Sequence, residues 1–433
     1  MTRRPAARHA APCAPRPIGT TMSSRLPTIF ILITVTIDAM GIGIIIPVMP
    51  DLIMDVEGGT LASAAVWGGI LTSTFAVMQF LFGPLIGNLS DRFGRRPILL
   101  GSLFILAVDY LVMAMAHTIW LLLLGRIIGG IMAATQSTAA AFMADTSPPE
   151  KRGAGFGLVS AAFGLGFVLG PVIGGLLGDL GPRAPFYVAA GLAFANFIFG
   201  WFVLSETVTK DRRRAFSWTR ANPFGALKQV RALPGLGRLL VVLLLYQLAF
   251  NVYPAIWSYF TTAAFAWEPR MIGLSLGIFG ISMFAVQGGL IRIAIHRLGE
   301  ATTVIVGFAF AVISFFVLGF LQTGWIALAL TPVSAMAAMC VPALQAIMSR
   351  QTPEDAQGEL QGIFTSVGAL AMILSPLLMT NVFSVFTRPE ADIFLPGAPF
   401  LASLLLALAG VALFLTRRVK TSVDYVTTSR NPP

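Results

Sequence analysis

The chain has 433 residues, of which 56% are hydrophobic and only 11% charged, with a mean hydropathy of +0.82. Soluble domains carry about 25% charged residues, so a disordered chain, a nucleic-acid binder built on charge and an ordinary soluble enzyme are all excluded. The net charge of +10, from 29 Lys and Arg against 19 Asp and Glu, must then be explained by where the charges lie.

A helix needs about 20 mostly apolar residues to cross a bilayer. Twelve such stretches follow one another, at approximately 26–50, 66–87, 98–116, 119–144, 153–177, 184–205, 238–263, 271–294, 301–320, 323–348, 358–386 and 396–416. Residues 301–349 contain no Asp, Glu, Lys or Arg, and the run is divided into two spans at Gln322-Thr323-Gly324. Lipid gives the backbone no hydrogen-bond partners, so the spans are predicted to be helices and the protein an all-α membrane protein. Residues 1–25 are rich in Arg, Ala and Pro and read as a disordered tail. Residues 206–237 form the longest internal polar stretch, with Arg212-Arg213-Arg214, and 417–433 form a second tail.

Basic residues concentrate on the cytoplasmic side of membrane proteins. All of the 29 except Arg126, Arg183, Arg270 and Arg388 fall in the two tails and the even-numbered loops. Both termini and the 206–237 loop are therefore expected in the cytoplasm, and no nucleic-acid partner is expected. Cys13 and Cys340 cannot build a disulfide framework.

An offset of 205 residues aligns the halves without a gap, pairing Arg92 with Arg297, Gly94 with Gly299, Trp120 with Trp325, Pro148 with Pro353 and Pro171 with Pro376. The expected domains are thus two parallel six-helix bundles, 26–205 and 238–416. Secondary transporters share this plan, with a substrate site between the halves and alternating access by rocking one against the other. At the same offset Asp38, Asp109 and Arg126 meet Leu243, Ser314 and Thr331. Charge chemistry is accordingly expected in the first half.

Span two leads into Gly83-Pro84-Leu85-Ile86-Gly87-Asn88-Leu89-Ser90-Asp91-Arg92-Phe93-Gly94-Arg95-Arg96-Pro97. This resembles the cytoplasmic signature loop of the major facilitator superfamily. Asp91 can accept from arginines or cap a helix N-terminus, and the glycines suit a tight turn, so Gly87, Asp91, Arg92, Gly94, Arg95 and Arg96 are expected to form a gate. In span five, Gly166-x-x-x-Gly170-Pro171-x-x-Gly174-Gly175 resembles the motif of the superfamily's antiporters, although close helix packing would also explain it. Asp38-Ala39-Met40-Gly41-Ile42-Gly43, Leu124-Gly125-Arg126, Pro342-Ala343-Leu344-Gln345 and Gln357-Gly358-x-Leu360-Gln361-Gly362 look like the bacterial tetracycline/H+ antiporters and related twelve-span drug exporters. That resemblance covers about 25–418 and implies the major facilitator fold. It also implies a coupling His in span eight and an Asp in span nine. Met283 and Ala311 stand there instead, which weakens tetracycline as substrate and that form of proton relay.

An ionisable residue within a membrane is costly and reads as functional. At 1.5 Å per residue, Asp38, Asp109 and Arg126 lie roughly 17–20 Å from the cytoplasmic face. Arg126 wants a carboxylate, and the acid it leaves unpaired is the one free to bind and release protons. Position and family match nominate Asp38 as that carrier. Asp109 with Arg126 is either a static ion pair or part of the relay. Asp145, ending span four, reads as a gate or helix-end charge partner. Substrate-lining candidates are Gln79, Gln136, Gln247, Asn251, Tyr253, Trp257, Phe260, Met283 and Gln287, because amides offer both donors and acceptors while aromatics and Met fit varied apolar shapes.

The reading that follows is a secondary active transporter of a bacterial inner membrane. It would export a lipophilic drug, tetracycline-like or multidrug, in exchange for protons. An uncoupled facilitator or exporter of an endogenous small molecule stays open, as does a non-transporting receptor. No enzyme, metal site or cofactor is expected beyond the proton as coupling ion. The expected partners are the bilayer and a lipophilic small molecule, and the expected state is a monomer.

Overall fold

The computed structural model describes residues 26–133, 135–146, 152–208, 213–218, 222–223, 225 and 235–416. Both tails and most of the 206–237 loop lie outside this range. Among the described residues every regular element is helical, and eleven helices are long and apolar enough to cross a membrane. The fourth span is divided instead, into Ile119–Met132 and Thr135–Thr146. The protein is thus the multi-pass, all-helical membrane protein expected from its hydropathy.

Several spans are longer or more broken than their apolar stretches suggested. Span one stops at Ile45, just before Pro47, which has no N–H to continue the ladder, and a short helix Met49–Glu57 follows. Span two runs from Leu61 to Phe93, started by the Thr60 hydroxyl accepting from the Ser63 N–H at 3.3 Å. Spans three, five and six are Arg95–Ala114, Arg152–Gly178 and Ala184–Val203. Span seven bends at Asn251, between Gly237–Phe250 and Val252–Phe265. Span eight holds a π turn, Val286–Leu290, between Pro269–Ala285 and Ile291–Leu298. Such turns are rare and concentrate at functional sites. Spans nine and eleven, Glu300–Phe320 and Gln357–Thr387, are unbroken, as is span twelve, Ala398–Leu415. Span ten passes through a 3-10 turn, Ala337–Met339, between Gly324–Met336 and Cys340–Arg350.

The glycines of span five do two separate jobs. Gly166, Gly170 and Gly174 face span one, and a Cβ at Gly170 would stand 2.5 Å from the Met40 carbonyl oxygen. Gly175 and Gly178 face span eight, where a Cβ at Gly175 would stand 2.6 Å from the Pro269 carbonyl. Gly273, Gly277 and Gly280 of span eight meet Pro171, Val172 and Val168 in return. Between them these small residues let three backbones approach closely. One face therefore packs span five inside its own half and the other forms the seam with the second half.

The second seam joins spans two and eleven. The Ser73 hydroxyl donates to the Ile373 carbonyl at 2.7 Å, and Gly69 abuts Thr380. From span seven, the Ser258 hydroxyl donates to the Ile46 carbonyl at 2.8 Å. All these contacts lie toward the side away from the start of span one. On the other side, a Cβ at Gly83, Gly87, Gly153, Gly157, Gly288, Gly289 or Gly358 would meet nothing within 4 Å. The halves are closely packed on the far side, and no described residue stands against these glycines on the side that carries the 206–237 loop.

Candidate functional site

The gate motif is a helix corner and not a glycine-rich loop. Gly83 and Gly87 are helical, and the chain turns at the single residue Gly94, whose φ of 113° and ψ of 157° suit glycine alone. Span three begins at the next residue. At this corner the Arg95 guanidinium reaches Asp91 at 2.7 Å, Asp145 at 3.2 Å and the Ser90 hydroxyl at 3.3 Å. Arg95 thus joins the ends of spans two and four, and Asp145 is placed as a charge partner. Asp91 does not cap span three. That position belongs to Glu206, whose carboxylate accepts from the backbone N–H groups of Arg95 (2.9 Å), Arg96 (3.3 Å) and Val208 (3.0 Å). An acid is favoured there because a helix N-terminus carries partial positive charge. Nothing local marks Glu206 for the role; it is simply the acid that follows span six. Arg92 lies over the Phe93 ring at 5.2 Å, while Arg96 turns to span six and donates to the Trp201 carbonyl at 2.8 Å.

Within the membrane Arg126 pairs with Asp109, Nη2 to Oδ2 at 3.2 Å, with 7% and 2% of the two residues exposed. The Arg126 guanidinium also meets the Met113 sulfur and lies 5.3 Å from the Phe75 ring centroid. Gly125 and Gly129, either side of Arg126 on one face of span four, make the room: a Cβ there would stand 2.7 and 2.6 Å from the two Asp109 carboxylate oxygens. Asp109 Oδ1 and Arg126 Nε have no hydrogen-bond partner among the described residues. Asp38 is half-buried on span one, and among the described residues no hydrogen bond or ion pair reaches its carboxylate. Tyr110, next to Asp109, lies against Gly41 of span one, so the two acids sit in adjoining parts of one bundle. Arg126 therefore takes Asp109 and leaves Asp38 free.

A cavity of about 180 Å³ lies across the seam. Of the lining candidates, Asn251, Tyr253, Trp257 and Met283 border it. They are joined by Phe167 and Pro171 from the first half and by Phe250, Phe279, Thr331 and Ser334 from the second. Of these, Pro171 belongs to the span-five glycine motif and Thr331 stands at the repeat position of Arg126, whereas residue order does not distinguish the others. The Trp257 indole N–H donates to the Ser275 hydroxyl at 2.8 Å, which fixes its ring, and Tyr253 packs against Phe279 at 5.4 Å.

Other candidates do not border that cavity. Gln79 donates to the Ala133 carbonyl at 3.1 Å, satisfying the backbone where span four breaks. Phe260 is fully buried against Phe400, with ring centroids 4.9 Å apart. Gln287 is exposed on the π turn of span eight, and Gln247 is half-buried near Gly368. The Gln136 side chain lies outside the described residues.

The family model described as Major Facilitator Superfamily matches this chain over residues 31–376 and again over 239–426. The chain is 40% identical over 364 residues to the class C tetracycline resistance protein of Escherichia coli, covering 84% of this chain and 91% of that protein. It is 36% identical over 366 residues to the class D tetracycline resistance protein of Salmonella ordonez, with the same coverage of both chains. Its structure resembles that of the human organic anion transporter MFSD10 (TETRAN), with a TM-score of 0.65 at 25% identity over 90% of this chain and 99% of that one. The chain belongs to the major facilitator superfamily and is a transporter, not an enzyme.

Proposed function

We propose that this transporter exports a lipophilic, tetracycline-like or related drug across a bacterial inner membrane in exchange for protons. The cavity across the seam carries the reading: an aromatic and thioether wall with Asn251, Thr331 and Ser334 as its polar groups suits a largely apolar molecule with a few hydrogen-bonding substituents. Its location, bounded by spans one, five, seven, eight and ten, lets a bound molecule be passed from one side to the other as the halves rock. Kinship with tetracycline resistance proteins supports the substrate class. The charge distribution supports a topology with both termini in the cytoplasm, so the side sealed by Ser73, Ser258 and Gly175 is the outer one. In this arrangement the protein faces inward, ready to load drug from the cytoplasm.

Asp38 serves as the proton carrier, as the acid that Arg126 leaves unpaired. The Asp109–Arg126 pair holds a fixed charge arrangement beside it, and the corner of Asp91, Arg95, Asp145 and Glu206 acts as the cytoplasmic gate. No cofactor takes part, and a monomer contains every residue named. In proteoliposomes of purified protein, an imposed pH gradient should drive drug accumulation. Flux that ignores the gradient would remove the proton-coupled reading and leave the uncoupled facilitator. That second reading has one observation in its favour, Met283 and Ala311 at the positions where the resemblance implies a His and an Asp.

A further inference from the structure

A second cavity, about 660 Å³, opens on the outer surface of the first bundle between spans three and six, far from the seam. Its walls are apolar, formed by Leu100, Gly101, Phe104, Phe197 and Trp201. The aromatic rings make a continuous ladder: Phe104 to Phe197 at 5.4 Å and Phe197 to Trp201 at 6.0 Å between centroids. Phe104 and Trp201 remain about half exposed despite this stacking, at 45% and 57%. A Cβ at Gly101 would meet nothing within 4 Å among the described residues, so none of their side chains fills the floor. The mouth is charged, with Arg96, Arg213 and Glu206 on its rim.

The rim charges do not cancel. The Glu206 carboxylate is committed to the backbone N–H groups of Arg95 and Arg96 at the start of span three and to that of Val208. Arg96 uses one N–H of its guanidinium on the Trp201 carbonyl, and its remaining donors have no acceptor among the described residues. Arg213 is exposed and forms no described bond, yet its position is set by its neighbour, since the Arg214 N–H donates to the Asp91 carbonyl at 3.2 Å. Two guanidinium groups therefore overhang an apolar, aromatic-walled groove. The depth is also informative: Arg96 is the second residue of span three and Trp201 the third from the end of span six. That is the level of the lipid headgroups, where Trp is enriched.

We infer that this groove is a binding site for one anionic phospholipid of the leaflet that faces the 206–237 loop. Its phosphate would sit between Arg96 and Arg213, and one acyl chain would lie along Phe104 and Phe197. Guanidinium groups match phosphate oxygens in geometry as well as charge, and the cytoplasmic leaflet is the anionic one. A bound lipid would tie the central loop to the start of span three, next to the Gly94 corner.

The test uses the full chain, purified in detergent and stripped of lipid, then titrated with phosphatidylglycerol or phosphatidylcholine. Native mass spectrometry counts bound lipid, and the thermal midpoint is followed in parallel. One phosphatidylglycerol per chain should be retained in preference to phosphatidylcholine. Arg213→Gln, which removes no bond among the described residues, should weaken that retention about tenfold, the loss of one charge-assisted contact. Arg297→Gln, an exposed arginine on the same side in the second half, should leave it unchanged. Equal retention of phosphatidylcholine, undiminished binding by Arg213→Gln, or the same loss in Arg297→Gln would each overturn the site. So would an equal rise in midpoint with glycerol 1-phosphate, because the acyl chain would then contribute nothing.

Discussion

Replacing Arg126 with Gln should destabilise the protein far more than replacing it together with Asp109. The two charges are 3.2 Å apart and almost fully buried. At an effective dielectric constant of about 20, their attraction is about 5 kcal/mol. Removing one partner strands the other in a site that was built for it, and costs about 3–5 kcal/mol in buried pairs generally. The Met113 sulfur is a weak acceptor, and the Phe75 face can hold a cation but not a carboxylate. Little else therefore compensates Arg126→Gln or Asp109→Asn alone. The double variant buries two neutral amides that can bond to each other, and should lie within about 1–2 kcal/mol of the wild type. The assay is a double-mutant cycle on unfolding in a fixed detergent, scored by thermal midpoint and by denaturant titration of all four proteins. Each single variant should fall well below the wild type, and the second substitution should restore most of the loss. A double variant less stable than either single would refute the pairing. Drug export by the stable double variant at the wild-type rate would assign the pair to the fold alone and leave the relay to Asp38.

The other predictions concern separate parts of the molecule. Asp38→Asn should abolish pH-gradient-driven accumulation in proteoliposomes while keeping the thermal midpoint, because no described residue bonds to its carboxylate; normal accumulation would sink its role as carrier. Glu206→Gln should cost about 1 kcal/mol by weakening the charge at the start of span three, and should slow export by loosening the Gly94 corner, measured as a lower initial rate at unchanged expression. Gly170→Val should lose export and stability together, since even a Cβ there would meet the Met40 carbonyl at 2.5 Å. Gly83→Ala, facing open space, should be close to neutral, and equal damage from both would contradict the packing described for span five. Asn251→Ala should raise the drug concentration needed for half-maximal export several-fold, whereas Gln79→Ala should leave that value alone and act on stability instead. The reverse order would show that the cavity across the seam is not where the drug binds.

Hydropathy and charge placement are additive along the chain, and so the spans, their number and the expected orientation can be read from residue order. The repeat belongs to the same class of information, as does the concentration of Asp38, Asp109 and Arg126 in the first half. Element ends were less legible. Gly83 and Gly87 look like turn residues, but lipid and neighbouring helices reward an unbroken backbone ladder, so span two continues to Phe93 and only Gly94 turns. Breaks were also hidden: the division of span four near Ala133 is met by a group from elsewhere, the Gln79 amide, and the π turn at Val286–Leu290 has no Pro to announce it.

Choice of partner is what residue order could not decide. Asp38 and Asp109 are equivalent candidates for Arg126 by type and depth; the space beside Gly125 and Gly129 admits the Asp109 carboxylate and settles the matter. Glu206 caps span three from 111 positions away, a contact that no local spacing encodes. The glycine run of span five announces close approach, yet only packing shows that one face meets span one and the other meets span eight. The sequence by itself determined a twelve-span transporter with Asp38, Asp109 and Arg126 placed inside the membrane in one half, because burial in lipid is a property of composition. Only the tertiary structure decided which charges neutralise one another and which aromatics face an empty space, because both depend on side chains brought together from distant spans.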